Sequence, residues 1–211
     1  MTLKVNILID NKASWIVPYG DKLAKILKSK GHDVMIVNEH KKVTKGDILC
    51  LLACEKIFRK LTLNRHNLVV HESNLPDGKG WSPLTWQILE GKNSIPVTLF
   101  EAEEKVDNGP IYGQIFIKLQ GHELLPEIKD LQGLATIQLI ENFVENYPNN
   151  IGRVQRGEAS YYPKRTSKDS ELDPKKSIEE QFNLLRVIDN QRYPAFFFIN
   201  DVKYILKIEK A

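Results

Sequence analysis

Long apolar runs are what this sequence most plainly lacks. The longest, Ile48 to Ala53 and Ala195 to Ile199, fall far short of the roughly 20 residues of a spanning helix. The first strand-like stretch, Leu3 to Ile9, has none of the basic, apolar and small-residue layout of a secretion signal, so a cytoplasmic setting is expected. Cysteine is scarce. Cys50 and Cys54 have neither CxxC spacing nor a second pair, and read as buried thiols rather than as zinc ligands or a disulfide. No metal is expected. Missing motifs exclude more: without GxGxxG after the first strand a conventional dinucleotide site is ruled out. The absence of GxxxxGK[ST], HExxH and GxSxG removes P-loop hydrolases, zincins and nucleophile-elbow hydrolases. Charge of one sign is lacking too, since 30 Lys and Arg against 27 Asp and Glu leave +3. Residues 1–100 carry 15 basic and 9 acidic side chains. That surplus suits an anionic small molecule or plain solvated lysines, and is weak support for a nucleic-acid partner.

What is present has the balance of a packed protein. Apolar residues at 42% and charged residues at 27% exclude disorder, and 211 residues suit one domain with a short appendage. Leu3 to Ile9 reads as a buried strand, and Tyr19, Leu23, Ile26 and Leu27 mark one helix face ending at Gly31. Further strands are expected at 33–37, 47–53, 68–70, 97–100 and 111–119. Helices are expected after Pro83 to Gly91 and from Leu124 to Tyr147, where Pro148 stops the run. The alternation predicts an α/β fold, a Rossmann-like open and mostly parallel sheet over residues 1–150. Residues 151–211 read as an appendage: an extended segment, a helix over Ser177 to Asp189, and a hairpin turning at Asn200-Asp201.

Two polar stretches stand where chemistry is expected. One is the loop His71-Glu72-Ser73-Asn74-Leu75-Pro76-Asp77-Gly78-Lys79-Gly80-Trp81-Ser82-Pro83 leaving a buried strand. The other is the turn Val106-Asp107-Asn108-Gly109-Pro110-Ile111 between two strands. A right-handed crossover between them would bring His71 and Asp107 to one sheet edge, beyond the strand ends where open α/β folds bind ligands. A carboxylate there would orient the imidazole, which could stabilise an oxyanion or accept a proton. A histidine at a strand end also serves simply as a satisfied structural residue.

These stretches resemble the formyltransferase family that uses 10-formyltetrahydrofolate, whose members carry an N-x-H-x-S-x-L-P loop, an R-G-x-x-P step and a V-D-x-G-x-I turn. His71, Ser73, Leu75, Pro76 and Asp107 fall on those motifs, and Ala53 to Phe58 resembles the run before the loop. Tyr161-Tyr162-Pro163-Lys164-Arg165-Thr166, Arg186 to Asn190 and Tyr193 to Phe196 resemble the tail of sugar-modifying members. One departure stands out: the family's Asn, two residues before the His, is Val69 here. Asn67 and Asn74 are the nearby substitutes, and Asn74 is taken as the third catalytic group because it sits in the ligand-facing loop.

The resemblance implies an N-formyltransferase. A substrate amine would attack the formyl carbon, His71 would steady the oxyanion or move a proton, and Asp107 would orient His71 and help deprotonate the ammonium. It places folate against the backbone near Lys56, Ile57 and Phe58 and near Glu103, Glu104 and Lys105, although Ile57 and Phe58 could equally be core. Ser73, Lys79, Gly80, Trp81, Tyr161 and Lys164 are the expected acceptor contacts, while Trp86 reads as buried. The expected acceptor is a nucleotide-linked amino (dideoxy) sugar of bacterial surface or flagellar glycan synthesis, of the pseudaminic-acid type. A methionyl-tRNA formyltransferase is the alternative, set against by the 60 or so residues after Ile151, too few for a tRNA-gripping domain of ordinary size. A purine-pathway formyltransferase is set against by the tail, and a non-catalytic folate or sugar-nucleotide binder is favoured only by Val69. Any homodimer would form through the appendage.

Overall fold

The computed structural model describes residues 1–211. In chain order the first elements are β1 (Lys4–Leu8), α1 (Val17–Ser29), β2 (Asp33–Val37), β3 (Gly46–Leu51) and β4 (Asn64–His71). They alternate as the apolar pattern requires, and Gly31, at φ +86°, stops α1 in a left-handed turn. The short pair of residues Lys79–Gly80 forms β5, followed by α2 (Pro83–Leu89), β6 (Ser94–Glu101), β7 (Ile111–Lys118) and α3 (Leu125–Asn146). The main sheet has the order β2-β1-β3-β4-β6-β7, with its first four strands parallel.

β6 departs from the expected crossover and runs antiparallel to β4, pairing Leu68 with Glu101 and His71 with Thr98. The reason lies in α2. Its seven residues cover about 10 Å, well short of the roughly 26 Å needed to return along an eight-residue strand. The chain therefore enters β6 at the edge where β4 ended, and β7 follows as its hairpin partner. Asp107 consequently reaches the site through a loop, residues 102–110, that folds back over the sheet.

β4 extends beyond the Leu68–Val70 apolar core of its sequence, and each of its two buried asparagines is bonded there through one amide atom while the other stays unpaired. Asn64 Oδ1 accepts from Asn6 Nδ2 at 3.0 Å, and Asn67 Nδ2 donates to the Leu61 carbonyl at 2.8 Å. The two sheet faces are covered unequally. α1, α2 and α3 pack the larger core, including Leu23, Leu27, Ile88, Ile140 and Phe143. The other face is closed mainly by loops over Leu8, Val37, Leu49, Leu51 and Phe58.

Residues 151–211 lie along this body. Tyr161–Tyr162 (β8) pairs parallel with β5, and Ile111 bridges Arg153. Arg186, 1% exposed, donates from Nη2 to Glu123 Oε2 (2.7 Å), from Nε to the Glu123 carbonyl (3.1 Å) and from Nη1 to Asn93 Oδ1 (3.0 Å). Of the helix expected over Ser177 to Asp189 only α4 (Phe182–Leu185) forms. The rest of the segment is held in turns, where side chains cap free amides: Glu180 accepts from the Ser177 amide and Gln181 from the Asp173 amide, each at 2.7 Å. The hairpin β9 (Ala195–Ile199) and β10 (Val202–Leu206) turns at Asn200 and Asp201, both at positive φ, as their sequence predicts. No helix is long and apolar enough to cross a membrane.

Candidate active site

A cavity of about 560 Å³ opens beyond the ends of β1, β3 and β4, the ordinary ligand position of an open α/β sheet. His71 and Asp107 both line it. They do not touch through a hydrogen bond. Instead His71 Nε2–H donates to the Gly78 carbonyl at 3.0 Å, and Asp107 Oδ2 accepts from the Gly80 amide at 3.1 Å. The strip 78–80 therefore holds both side chains, and the orienting partner expected of Asp107 is a backbone carbonyl. This fixes the tautomer and leaves His71 Nδ1 and Asp107 Oδ1 without protein partners, available to a ligand.

The strip is in turn held by the tail. Gly78 N donates to Ser160 Oγ (2.8 Å), Lys79 N to the Ser160 carbonyl (2.9 Å) and Trp81 N to the Tyr162 carbonyl (3.1 Å). Gly80 sits at φ +95°, and a Cβ there would lie 2.5 Å from the Tyr162 carbonyl oxygen, so only glycine allows this approach. The Asp107 turn is fixed from two further sides. Lys79 Nζ donates to Asn108 Oδ1 (3.1 Å), and Gln155 Nε2 donates to the carbonyls of Gly109 (2.9 Å) and Asp107 (3.2 Å). Asp107 itself adopts φ +54°, a strained backbone that these bonds offset.

The cavity reaches both sheet faces. On the loop-covered side stand Leu51, Cys54, Lys56, Ile57, Phe58, Val69, Ala102 and Glu103. Asp10 shapes this wall: its oxygens accept from the amides of Glu55 (2.9 Å) and Lys56 (3.0 Å), and Oδ2 meets His40 Nε2 at 3.1 Å. Burial works against its charge, but the Glu55 amide, His40 and the Lys56 amide together hold the carboxyl below its ordinary range. Burial pushes the Cys54 thiol up to about 12, with the nearby Asp10 charge adding to it, so this thiol is no nucleophile. On the helix-covered side stand Trp15, Ile16, Glu72, Leu84, Thr85, Lys129, Gln132 and Thr136.

Among the residues singled out in the sequence, His71, Asp107, Lys56, Ile57, Phe58, Glu103, Gly80 and Trp81 come together around the cavity. Ser73, Asn74, Lys79, Glu104, Lys105, Tyr161 and Lys164 do not line it. Ser73 and Lys79 are 2% and 3% exposed beneath the loop, because that loop turns them inward to pack against the tail and the Asp107 turn. Asn74 points away, its Oδ1 accepting from Gln114 Nε2 at 3.1 Å. Val69 occupies the wall, and Asn67 is spent on the Leu61 carbonyl, so neither asparagine faces the cavity. Lys164 Nζ stands 4.9 Å above the half-exposed Trp81 ring at the mouth, while Trp86 stacks on Tyr162 and donates to the Pro163 carbonyl. The sequence reading missed Asp10, Trp15, Gln155 and the α3 residues. Polar Lys129, Gln132 and Thr136 at i, i+3 and i+7, on one face of α3, were the signal available.

A histidine and a carboxylate in a ligand-sized pocket at the strand ends of an open α/β sheet define a small-molecule enzyme site. The formyl transferase family matches residues 11–130, more than half of the chain, and the chain belongs to that family of formyl-transferring enzymes. Bifunctional polymyxin resistance protein ArnA of Wigglesworthia glossinidia brevipalpis is 27% identical over 199 residues, 93% of this chain; the chain spans only 28% of that relative. Three solved structures share the fold. Methionyl-tRNA formyltransferase from Clostridium thermocellum (20% identity, TM-score 0.79) is matched over 99% of this chain and 93% of its own. A sugar N-formyltransferase from Shewanella sp. (15%, TM-score 0.72) is matched over 99% and 98%. HypX from Aquifex aeolicus in complex with tetrahydrofolic acid (16%, TM-score 0.77) is matched over 99% of this chain and 38% of its own.

Proposed function

We propose that this enzyme moves the formyl group of 10-formyltetrahydrofolate onto the amine of a nucleotide-linked amino sugar. The observation that carries this reading is the pairing of His71 Nδ1 and Asp107 Oδ1, both unpartnered, in one cavity with two dissimilar lobes. The loop-covered lobe, with the 55–58 and 102–107 segments, suits the folate, whose planar ring needs a narrow, backbone-edged slot. Trp81, with Lys164 above it, offers an aromatic face and a cation at the mouth, which suits a base and its phosphates. Residues 1–150 would form the catalytic unit and residues 151–211 the appendage that pins the 78–81 strip from behind.

In this reading the amine attacks the formyl carbon, and the carbonyl oxygen becomes an oxyanion. Protonated, His71 would donate to that oxygen; neutral, its Nδ1 would take a proton. Asp107 Oδ1 would first take a proton from the bound ammonium, freeing the lone pair that attacks. As the oxyanion collapses, the bond from the formyl carbon to N10 breaks, and the proton shed by the new amide nitrogen would pass through His71 to the leaving N10. With Val69 in the asparagine position, His71 and backbone amides are left to carry the oxyanion. Chain length does not separate sugar from tRNA as the sequence suggests, because the Clostridium thermocellum structure is matched over 93% of its length. What supports the sugar reading is the mouth: an aromatic face with a cation over it fits a nucleotide better than a long phosphate backbone.

The test incubates the protein with 10-formyltetrahydrofolate and a panel of amino-sugar nucleotides, with charged initiator tRNA as the competing acceptor. One added CO on a sugar nucleotide supports the reading, and formylation of tRNA alone overturns it. Light scattering on the same sample checks the assembly. The exposed row Phe198, Ile199, Val202, Tyr204 and Ile205 on the β9–β10 hairpin is the surface we assign to a homodimer, so twice the chain mass is expected.

A further inference from the structure

The helix-covered lobe takes no part in the folate assignment, and its polar groups form a chain. Glu72 follows His71 directly and lines the cavity. Its Oε1 accepts from Gln132 Nε2 at 2.7 Å, and Gln132 Oε1 accepts from Lys129 Nζ at 2.9 Å. The Lys129 ammonium rests 4.2 Å over the Trp15 ring. Glu72 forms no ion pair, and its Oε2 takes no hydrogen bond from the protein. Its charge is balanced at one remove by Lys129, through an amide that cannot neutralise it. Burial, opposed by Glu72 and Asp189, lowers the Lys129 pKa to about 8.

An open carboxylate oxygen that lines the cavity next to His71 is a ready partner for a cation. We infer that Glu72 selects the acceptor: its free oxygen receives the ammonium of the incoming primary amine and sets it beside His71. The inference rests on the formyl-transfer reading and deepens it. A primary amine reaches the enzyme mainly protonated, and an N–H···O bond between two charges is about twice as strong as a neutral one. A hydroxyl in the same place would leave Glu72 without its counter-charge, so the site would discriminate amine from alcohol. Gln132 acts as a positioning residue that keeps Oε2 turned to the cavity.

The experiment measures calorimetric binding of three probes to the full chain: a UDP-linked 4-amino-4,6-dideoxy sugar, its 4-hydroxy counterpart, and 5-formyltetrahydrofolate. The wild type should prefer the amino sugar by about tenfold or more, as one charge-assisted contact provides. Glu72→Gln should bring that preference within about twofold while folate binding stays unchanged, and Glu72→Asp should restore part of it. Folate binding also reports that each variant is folded. A Glu72→Gln protein that keeps the preference, or that loses affinity for all three probes alike, overturns the role of Glu72. A wild type that binds folate but treats the two sugars alike, or binds neither, overturns it too while formyl transfer stands. A wild type that binds no folate overturns the formyl-transfer reading itself.

Discussion

The two faces of the main sheet are built to different specifications. On one, α1 and α3 lay apolar stripes across β1, β3, β6 and β7, and side chains such as Ile7, Ile48, Val97 and Ile140 lose all solvent contact. On the other, a few residues around Leu49 and Phe58 are roofed by loops whose shape depends on polar contacts to Asp10 and Asn11. Helices bury apolar area efficiently but leave little room; loops leave room but must be held by hydrogen bonds. The cavity lies where the two meet. Stability should therefore live on the helical face and folate geometry on the loop face, with His71 at the seam.

The largest expected effect is at the seam. His71→Ala removes the group we propose for the oxyanion and should lower turnover by about two to four orders of magnitude. Thermal stability should change little, since His71 is anchored only to the Gly78 carbonyl. Steady-state kinetics with 10-formyltetrahydrofolate would show it, and near-native turnover would remove His71 from the chemistry.

Much of the helical face is legible in the sequence, because amphipathic spacing and terminating glycines are local signals. Tyr19 to Leu27 and Leu124 to Tyr147 announce α1 and α3 by period alone, and Asn200-Asp201 announces its hairpin turn. The direction of β6 is not local. It depends on whether α2 is long enough to carry the chain back, which no motif states. The site is half legible: His71 and Asp107 are visible through loop position and motif, although the crossover expected to join them does not form. Their true fasteners are not, because the Gly78 carbonyl and Gly80 amide leave no side-chain signature. Lys79 reads as a ligand contact in sequence, yet folds inward to hold Asn108. Asn74 reads as catalytic, yet the loop turns it toward Gln114.

A smaller effect should separate the faces cleanly. Ile140, fully buried on α3, packs in the helical core, and Ile140→Ala should cost about 2–5 kcal/mol of stability through lost burial and a residual cavity. Kinetic constants at a temperature where the variant is folded should stay within about twofold, because no ligand-facing loop moves. Denaturant unfolding alongside kinetics checks both halves. A large change in KM for folate would show that the helical face also shapes the slot.

The converse variant is Asp10→Asn on the loop face. The substituted side-chain amide would still accept from one backbone N–H. Its own NH2 group would face the Lys56 N–H donor, and the ion pair with His40 would be lost. The 55–58 wall should then loosen. KM for 10-formyltetrahydrofolate should rise about 5- to 10-fold, the equivalent of one charge-assisted bond, with kcat nearly unchanged because His71 and Asp107 keep their own fasteners. Acid titration gives a second reading. The folded Asp10 carboxyl ionises below its ordinary value of 3.8, so its stabilising contribution is complete above that value and is lost as pH falls through the lower folded one. In that window the wild type should lose stability more steeply than Asp10→Asn, which has no proton to take up. A parallel fall in both proteins, with KM for folate unmoved, would mean that the loop face holds its shape without Asp10.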